Sequence, residues 1–138
     1  MTKTYKKIDN IDDYIKMFLD NQTNENFAEL IDKLIDSKVI ILDRGLEGDI
    51  KKLSNDAITP LVITDSEKKN YIPIFTNDKH IGGDLNKLKK VDHIFKDLCN
   101  DSIVNNEYIE GYVLNPFTHG LKLPKEVIKI VMKYKEEK

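Results

Sequence analysis

Cysteine is nearly absent from this chain of 138 residues, which carries only Cys99. A lone thiol forms no internal disulfide and no cysteine cluster for zinc. Its setting, KDLCND, reads as a small buried residue on the inner face of a helix. Arginine is equally scarce. Arg44 is the only one, and the lysines are spread among Asp and Glu to give a net charge of −2. Nucleic-acid binding asks for a clustered positive footprint with arginine as the better reader of phosphates and guanines, so nucleic acid is not an expected partner. Long apolar runs are missing too. Val39 to Leu42 is typical, far short of the roughly 20 residues of a membrane helix. The early lysines of MTKTYKKIDN have no apolar stretch after them, so a secretory signal is not expected there. The expected location is the cytoplasm, with no membrane association.

Catalytic signatures are absent as well. The chain has no G-x-S-x-G elbow and no phosphate-cradling G-x-x-x-x-G-K-[ST]. Ser37, Ser54, Ser66 and Ser102 fall at element ends or in turns, where hydroxyls serve as caps. Asp43, Glu47, Asp49 and Asp56 lack the alternating spacing of a calcium loop and read as solvated surface. Neither a metal nor a cofactor is expected.

What is present suits one ordinary domain. Hydrophobic residues make up 40 % and charged residues 33 %, with a mean hydropathy of −0.47. A chain of this length should bury roughly two-thirds of its extended surface, enough for one core. Asn10 caps a predicted helix over 11–20, with Ile11, Tyr14, Ile15, Phe18 and Leu19 at helical spacing. Thr23 caps a second, whose stripe Phe27, Leu30, Ile31, Leu34 and Ile35 gives the clearest periodicity in the chain. That stripe is read as core, with a partner-binding groove as the alternative.

Val39 to Asp43 (VIILD) predicts a strand buried on both faces. A loop should span Arg44 to Ala57. Pro60 to Asp65 and Tyr71 to Thr76 flank the polar turn SEKKN and predict a β-hairpin. Pro73 has no donor for a ladder, which places its strand at an edge or at a bulge. Thr76 or Asn77 caps a short helical turn ending near Gly82-Gly83. Residues 84–91 fit either a helix or a short strand, and a helix is predicted over 92–105. Gly111 to Asn115 predicts a strand stopped by Pro116, and Pro124 opens a final helix with Val127, Ile128, Val131 and Tyr134 inward. The tail after Tyr134 is expected to fray. The fold class expected is α/β (α+β), a single domain with a mixed sheet of four or five strands and flanking helices.

Two stretches carry the chain's individual character. They are Tyr71-Ile72-Pro73-Ile74-Phe75-Thr76, and Gly111-Tyr112-Val113-Leu114-Asn115-Pro116-Phe117 with Gly120, Leu121, Leu123 and Pro124-Lys125-Glu126 after it. The pattern resembles the N-terminal domain of the SseB family, named for enhanced serine sensitivity in bacteria, over roughly residues 25–135. The resemblance implies a small bacterial α/β module without established catalytic activity, and the family name does not identify a partner.

The residues themselves offer a candidate surface. Asn115 before Pro116 is expected to be extended, with its amide holding the turn. Phe117 either packs back on the sheet or stands exposed. His93 and Asp97, four apart, would share a helix face as solvated surface. His119 follows the Asn-Pro-Phe turn and His80 follows Phe75-Thr76, so the two histidines approach if both turns lie at one end of the sheet. Phe75, Thr76, Asn77, Asn115, Phe117 and His119 are therefore the candidate binding residues. The leading expectation is a non-catalytic binding or regulatory module for a protein segment or a small polar metabolite. The alternatives are a small enzyme or sensor acting on a serine-related metabolite, and a homodimer formed through the Pro73 strand.

Overall fold

Helix α1 (Ile11–Asp20) begins where Asn10 Oδ1 accepts from the Asp12 N–H at 2.9 Å. Helix α2 (Asn24–Ile35) begins where Thr23 Oγ1 accepts from the Asn26 N–H at 3.1 Å. Both caps satisfy peptide donors that an open helix end would leave unpaired. In this computed structural model, which describes residues 10–44 and 60–136, the chain continues through strand β1 (Lys38–Asp43), β2 (Ile63–Thr64), β3 (Asn70–Phe75), β4 (Lys89–Ile94), single-turn helices α3 (Phe95–Leu98) and α4 (Asp101–Val104), β5 (Gly111–Leu114), β6 (Leu121–Pro124) and helix α5 (Lys125–Glu136). Two 3-10 turns, Asp78–His80 and Gly83–Lys87, lie between β3 and β4. The expected loop over 44–57, with Glu47, Asp49 and Asp56, lies almost entirely outside the described residues; Asp43 itself is buried rather than solvated.

The fold is mixed α+β, built on one open sheet of six strands, one or two more than expected. The order is β4-β1-β3-β5-β6, with β2 also on β3. β3 and β5 run parallel, whereas the other pairs are antiparallel. Strand alternation sends side chains to opposite faces. Val39, Ile41, Ile72, Ile74, Tyr112, Leu114 and Leu123 meet Leu30, Leu34, Phe95, Ile128 and Val131 of the helices in the main core. On the other face, Leu42 and Phe75 join Ile81 in a smaller cluster with Ile40, Leu61, Leu85 and Leu88 beside it. The α2 stripe is core, as its spacing indicates; at its margin Phe27, Ile31 and Ile35 face Ile130 and Tyr134 of α5 across an apolar groove of about 240 Å³. Among the described residues no helix is long and apolar enough to cross a membrane.

Three local expectations are corrected. β3 is an interior strand, with β5 on one side and β1 and β2 on the other. The carbonyls of Asn70 and Ile74 bond toward β5, so alternation turns the donorless nitrogen of Pro73 to the other side. There β1 gives way to β2, and the Leu42 carbonyl that would face Pro73 accepts the Leu61 N–H at 2.9 Å instead. Proline is tolerated because the ladder changes hands at that residue. A homodimer through an open Pro73 edge thereby loses its basis.

The helix expected over 92–105 is a strand followed by two single turns. β4 pairs along its whole length with β1, from Lys38↔Ile94 to Asp43↔Lys89. As a polar edge strand it buries too little to show a clear alternation. His93 therefore sits on a strand and shares no helix face with Asp97, and its Nε2 is shielded without a hydrogen-bond partner among the described residues. Asn100 ends this run by capping α4, its Oδ1 accepting from the Ile103 N–H at 3.3 Å. Cys99 is buried, at the C-terminal cap of α3. Finally, Leu121 to Pro124 forms a strand that the sequence pattern did not announce, and α5 extends past Tyr134 to Glu136.

Candidate functional site

The parallel pairing of β3 and β5, with Ile74 level with Leu114, brings the carboxyl ends of the two strands side by side. The chain leaves β3 through Phe75, Thr76 and Asn77, and leaves β5 through Asn115 to Gly120. The first turn of α1 closes over both.

Asn115 ties the ends together. It does not adopt the extended conformation expected before proline, because its φ of 49° lies in the left-handed region. Asn tolerates that region better than most residues, and here the bonds it makes hold it there. Its N–H donates to the Ile74 carbonyl at 2.8 Å. Its own carbonyl accepts from the N–H groups of Thr118, His119 and Gly120 at 3.0, 2.9 and 2.8 Å. Its side chain, fully buried, accepts from the Thr76 N–H at 3.0 Å and donates to Thr76 Oγ1 and to His119 Nδ1, each at 3.0 Å. The peptide N–H of Thr76 can only donate, which fixes Asn115 Oδ1 toward it and Nδ2 toward His119. His119 Nδ1 is therefore an acceptor.

Asp12 is the second hub. Its carboxylate accepts from the Thr76 hydroxyl, from Asn77 Nδ2 at 3.0 Å and from His80 Nε2 at 2.7 Å. Burial pushes the Asp12 carboxyl up. The hydrogen bonds from His80, Thr76 and Asn77 and the charge of His80 outweigh it, holding the group below its ordinary range. The ionised carboxylate fixes the proton of His80 on Nε2, and Nδ1 faces Thr118 Oγ1 at 2.7 Å. The His80 side chain is only 13 % exposed, and its ring centroid lies 5.0 Å from that of His119. Partial burial and the neighbouring His80 hold the His119 pKa down, against the pull of Asp12.

Of the six residues expected from sequence, Thr76, Asn77, Asn115 and His119 enter this single network. Phe75 is wholly buried and acts from beneath, its ring 6.1 Å from that of Phe117. Phe117 itself is 52 % exposed. Asp12, His80 and Thr118 complete the cluster. His80 had a signal in its position after the Phe75-Thr76 turn. Asp12 had none, since residues 12, 80 and 119 share no local spacing and meet only in the fold. The three offer ligand atoms that all lie within 4.8 Å of one another, a possible metal-holding set. Beside the cluster, a cleft of about 300 Å³ is lined by Lys38, Ile40, Thr76, Asn77, Asp78 and Asp92. No family model, curated protein or solved structure matches the chain.

Proposed function

We propose that this chain is a non-catalytic binding or regulatory module, of the bacterial cytoplasmic SseB N-terminal type, that engages its partner with the turn following β5. The observation that carries this reading is Phe117. A large aromatic side chain stands half in solvent on a turn that Asn115 immobilises, with the buried Phe75 ring beneath it. A rigid aromatic anchor loses little conformational entropy on binding, which is why such residues dominate interface energetics. His119 and Thr118 beside it supply polar groups already oriented by the network.

The test is retention on immobilised protein from the host's own lysate, with Phe117→Ala as the probe and Ile130→Ala as a control at a distant exposed apolar residue. A protein retained by wild type and by the Ile130 variant, and lost from the Phe117 variant, supports the module. Equal retention by all three removes Phe117 from the interface.

A second reading, a sensor for a small serine-related metabolite, draws on the cleft beside Thr76. Lys38 there faces Asp92 at 3.6 Å, and Asp78, itself 3.5 Å from Lys90, lines the same cleft, so both signs of charge are present for a zwitterion. It predicts that L-serine or a close analogue raises the melting temperature of the wild type but not of Lys38→Ala. Unchanged melting of the wild type removes this reading.

A further inference from the structure

We infer that Asp12, His80 and His119 form a binding site for a first-row divalent transition ion, zinc by the character of the donors. The inference stands apart from the docking reading, because it needs no partner. Two imidazoles and one carboxylate are a common borderline-soft set for Zn²⁺. Bonds of roughly 2.0–2.2 Å place tetrahedral ligands roughly 3.3 Å apart. The three ligand atoms, already within 4.8 Å of one another, need only side-chain adjustments to reach that spacing. They come from three separate parts of the chain: the first turn of α1, the Asp78–His80 turn and the turn after β5. Such convergence of one carboxylate and two histidines is not produced by helix or strand periodicity.

The groups behind these ligands suit the assignment. Ligands of a metal are held in place by a further layer of hydrogen bonds. Thr76 and Asn77 hold the Asp12 carboxylate, and Thr118 faces the far nitrogen of His80 at 2.7 Å. Without metal, the His80 Nε2 proton lies between His80 and Asp12. An ion takes that place, and the ring proton sits on Nδ1 instead, where the Thr118 oxygen accepts it. The Thr118 hydroxyl then turns to the Asn115 carbonyl, 3.5 Å away. The contact that gives way is the donation from Asn115 to His119 Nδ1, because a neutral imidazole that ligates through Nε2 carries its proton on Nδ1, and one that ligates through Nδ1 uses the lone pair that accepted from Asn115. Asn115 keeps both its bonds to Thr76. One neutral hydrogen bond is exchanged for a coordinate bond from His119, with a fourth position left for water or a ligand atom.

The experiment uses the full untagged chain, freed of metal with a chelator and titrated with Co²⁺ as a spectroscopic substitute. The expected result is one ion per chain, with the intense visible bands of a four-coordinate N/O site, displaced by Zn²⁺. Zn²⁺ should also raise the melting temperature. Asp12→Asn, His80→Gln and His119→Gln should each weaken binding by about tenfold or more, while His93→Gln should bind like the wild type. His119→Gln, on a surface turn, keeps the test valid if the Asp12 variant fails to fold. A spectrum of aquated Co²⁺ with no thermal shift in Zn²⁺ overturns the proposal. Undiminished binding in both histidine variants overturns it equally, since the ion then sits elsewhere.

Discussion

Replacing Asn115 with alanine tests whether one residue holds the two turns together. The substitution removes three side-chain hydrogen bonds. The Thr76 N–H, left without its acceptor in a partly buried position, costs about 1–3 kcal/mol, and each of the other two bonds contributes about 0.5–1.5 kcal/mol. Alanine at φ 49° adds about 1–2 kcal/mol of backbone strain relative to a residue at ease there. Allowing for overlap among these terms, a loss of about 3–5 kcal/mol is expected, a large share of the roughly 5–15 kcal/mol typical of a domain. Asn115→Gly loses the same hydrogen bonds but not the strain, so it should be about 1 kcal/mol more stable than the alanine variant. Urea unfolding followed by far-ultraviolet circular dichroism, with equal m-values for the three proteins, gives both differences. An alanine variant within about 1 kcal/mol of wild type refutes the network's role. A glycine variant no better than alanine refutes the strain argument.

Three other expectations follow from the same geometry. At Gly111 an added Cβ would lie 2.2 Å from the Leu123 carbonyl oxygen and 3.0 Å from Pro124 Cα; Gly111→Ala should therefore separate β5 from β6 and destabilise by about 3 kcal/mol or more, and a urea midpoint near wild type would refute this. Tyr112 donates its hydroxyl to the Leu98 carbonyl at 2.7 Å, and burial, with Cys99 adding to it, pushes its pKa well above the usual value near 10. The neutral phenol is favoured by folding, so its contribution is complete below pH 10 and is lost as pH rises beyond the unfolded value. Tyr112→Phe should lose about 1–2 kcal/mol at neutral pH and unfold over a less steep alkaline range; an unchanged alkaline profile would count against the assignment. Asp65 accepts from Lys122 at 2.8 Å and from the N–H groups of Lys69 and Glu67 at 2.9 Å, which lowers its pKa. The hairpin stabilisation it gives is complete above the unfolded value near 3.9 and is lost as pH falls through the lowered one; Asp65→Asn should flatten the acid limb of the stability curve, and an unaltered limb would refute the link.

How much of this was legible depends on how local each cause is. The caps at Asn10 and Thr23 and the α2 stripe are set by residues within a turn or two, and the sequence pattern locates them. β4 is only half legible: residues 84–91 fit a helix or a short strand, because an edge strand with Lys89, Lys90 and Asp92 on it presents neither a clean alternation nor a core face, while the helical turn Phe95–Leu98 just beyond it makes residues 92–94 read as helix. Pro73 points to an edge or a bulge by a rule that holds for a continuous ladder. In this sheet the ladder on that side is divided between β1 and β2, a fact that depends on Leu42 and Leu61, far apart in sequence. The same limit applies to Asn115. A residue before proline favours extension on local sterics, but seven hydrogen bonds to Ile74, Thr76 and the following turn decide otherwise. Two of those partners lie about 40 positions earlier.

The site's position follows from connectivity more than from any motif. In open sheets, ligands favour the crevice at the carboxyl ends of parallel strands where neighbouring connections leave in opposite directions. β3 and β5 meet that condition. From β3 the chain departs past β1 to reach β4, and from β5 it turns the other way into β6. Here the crevice is filled by the chain's own polar side chains, with Asp12 brought in by α1. A small ligand placed there must replace bonds that are already satisfied, which favours an ion able to substitute for a shared proton. A larger partner has no such competition at the rim, where Phe117 is exposed and needs no bond broken to be covered. The two proposed uses of this end of the sheet are thus compatible, and the Phe117 substitution on one side and the His80 substitution on the other separate them.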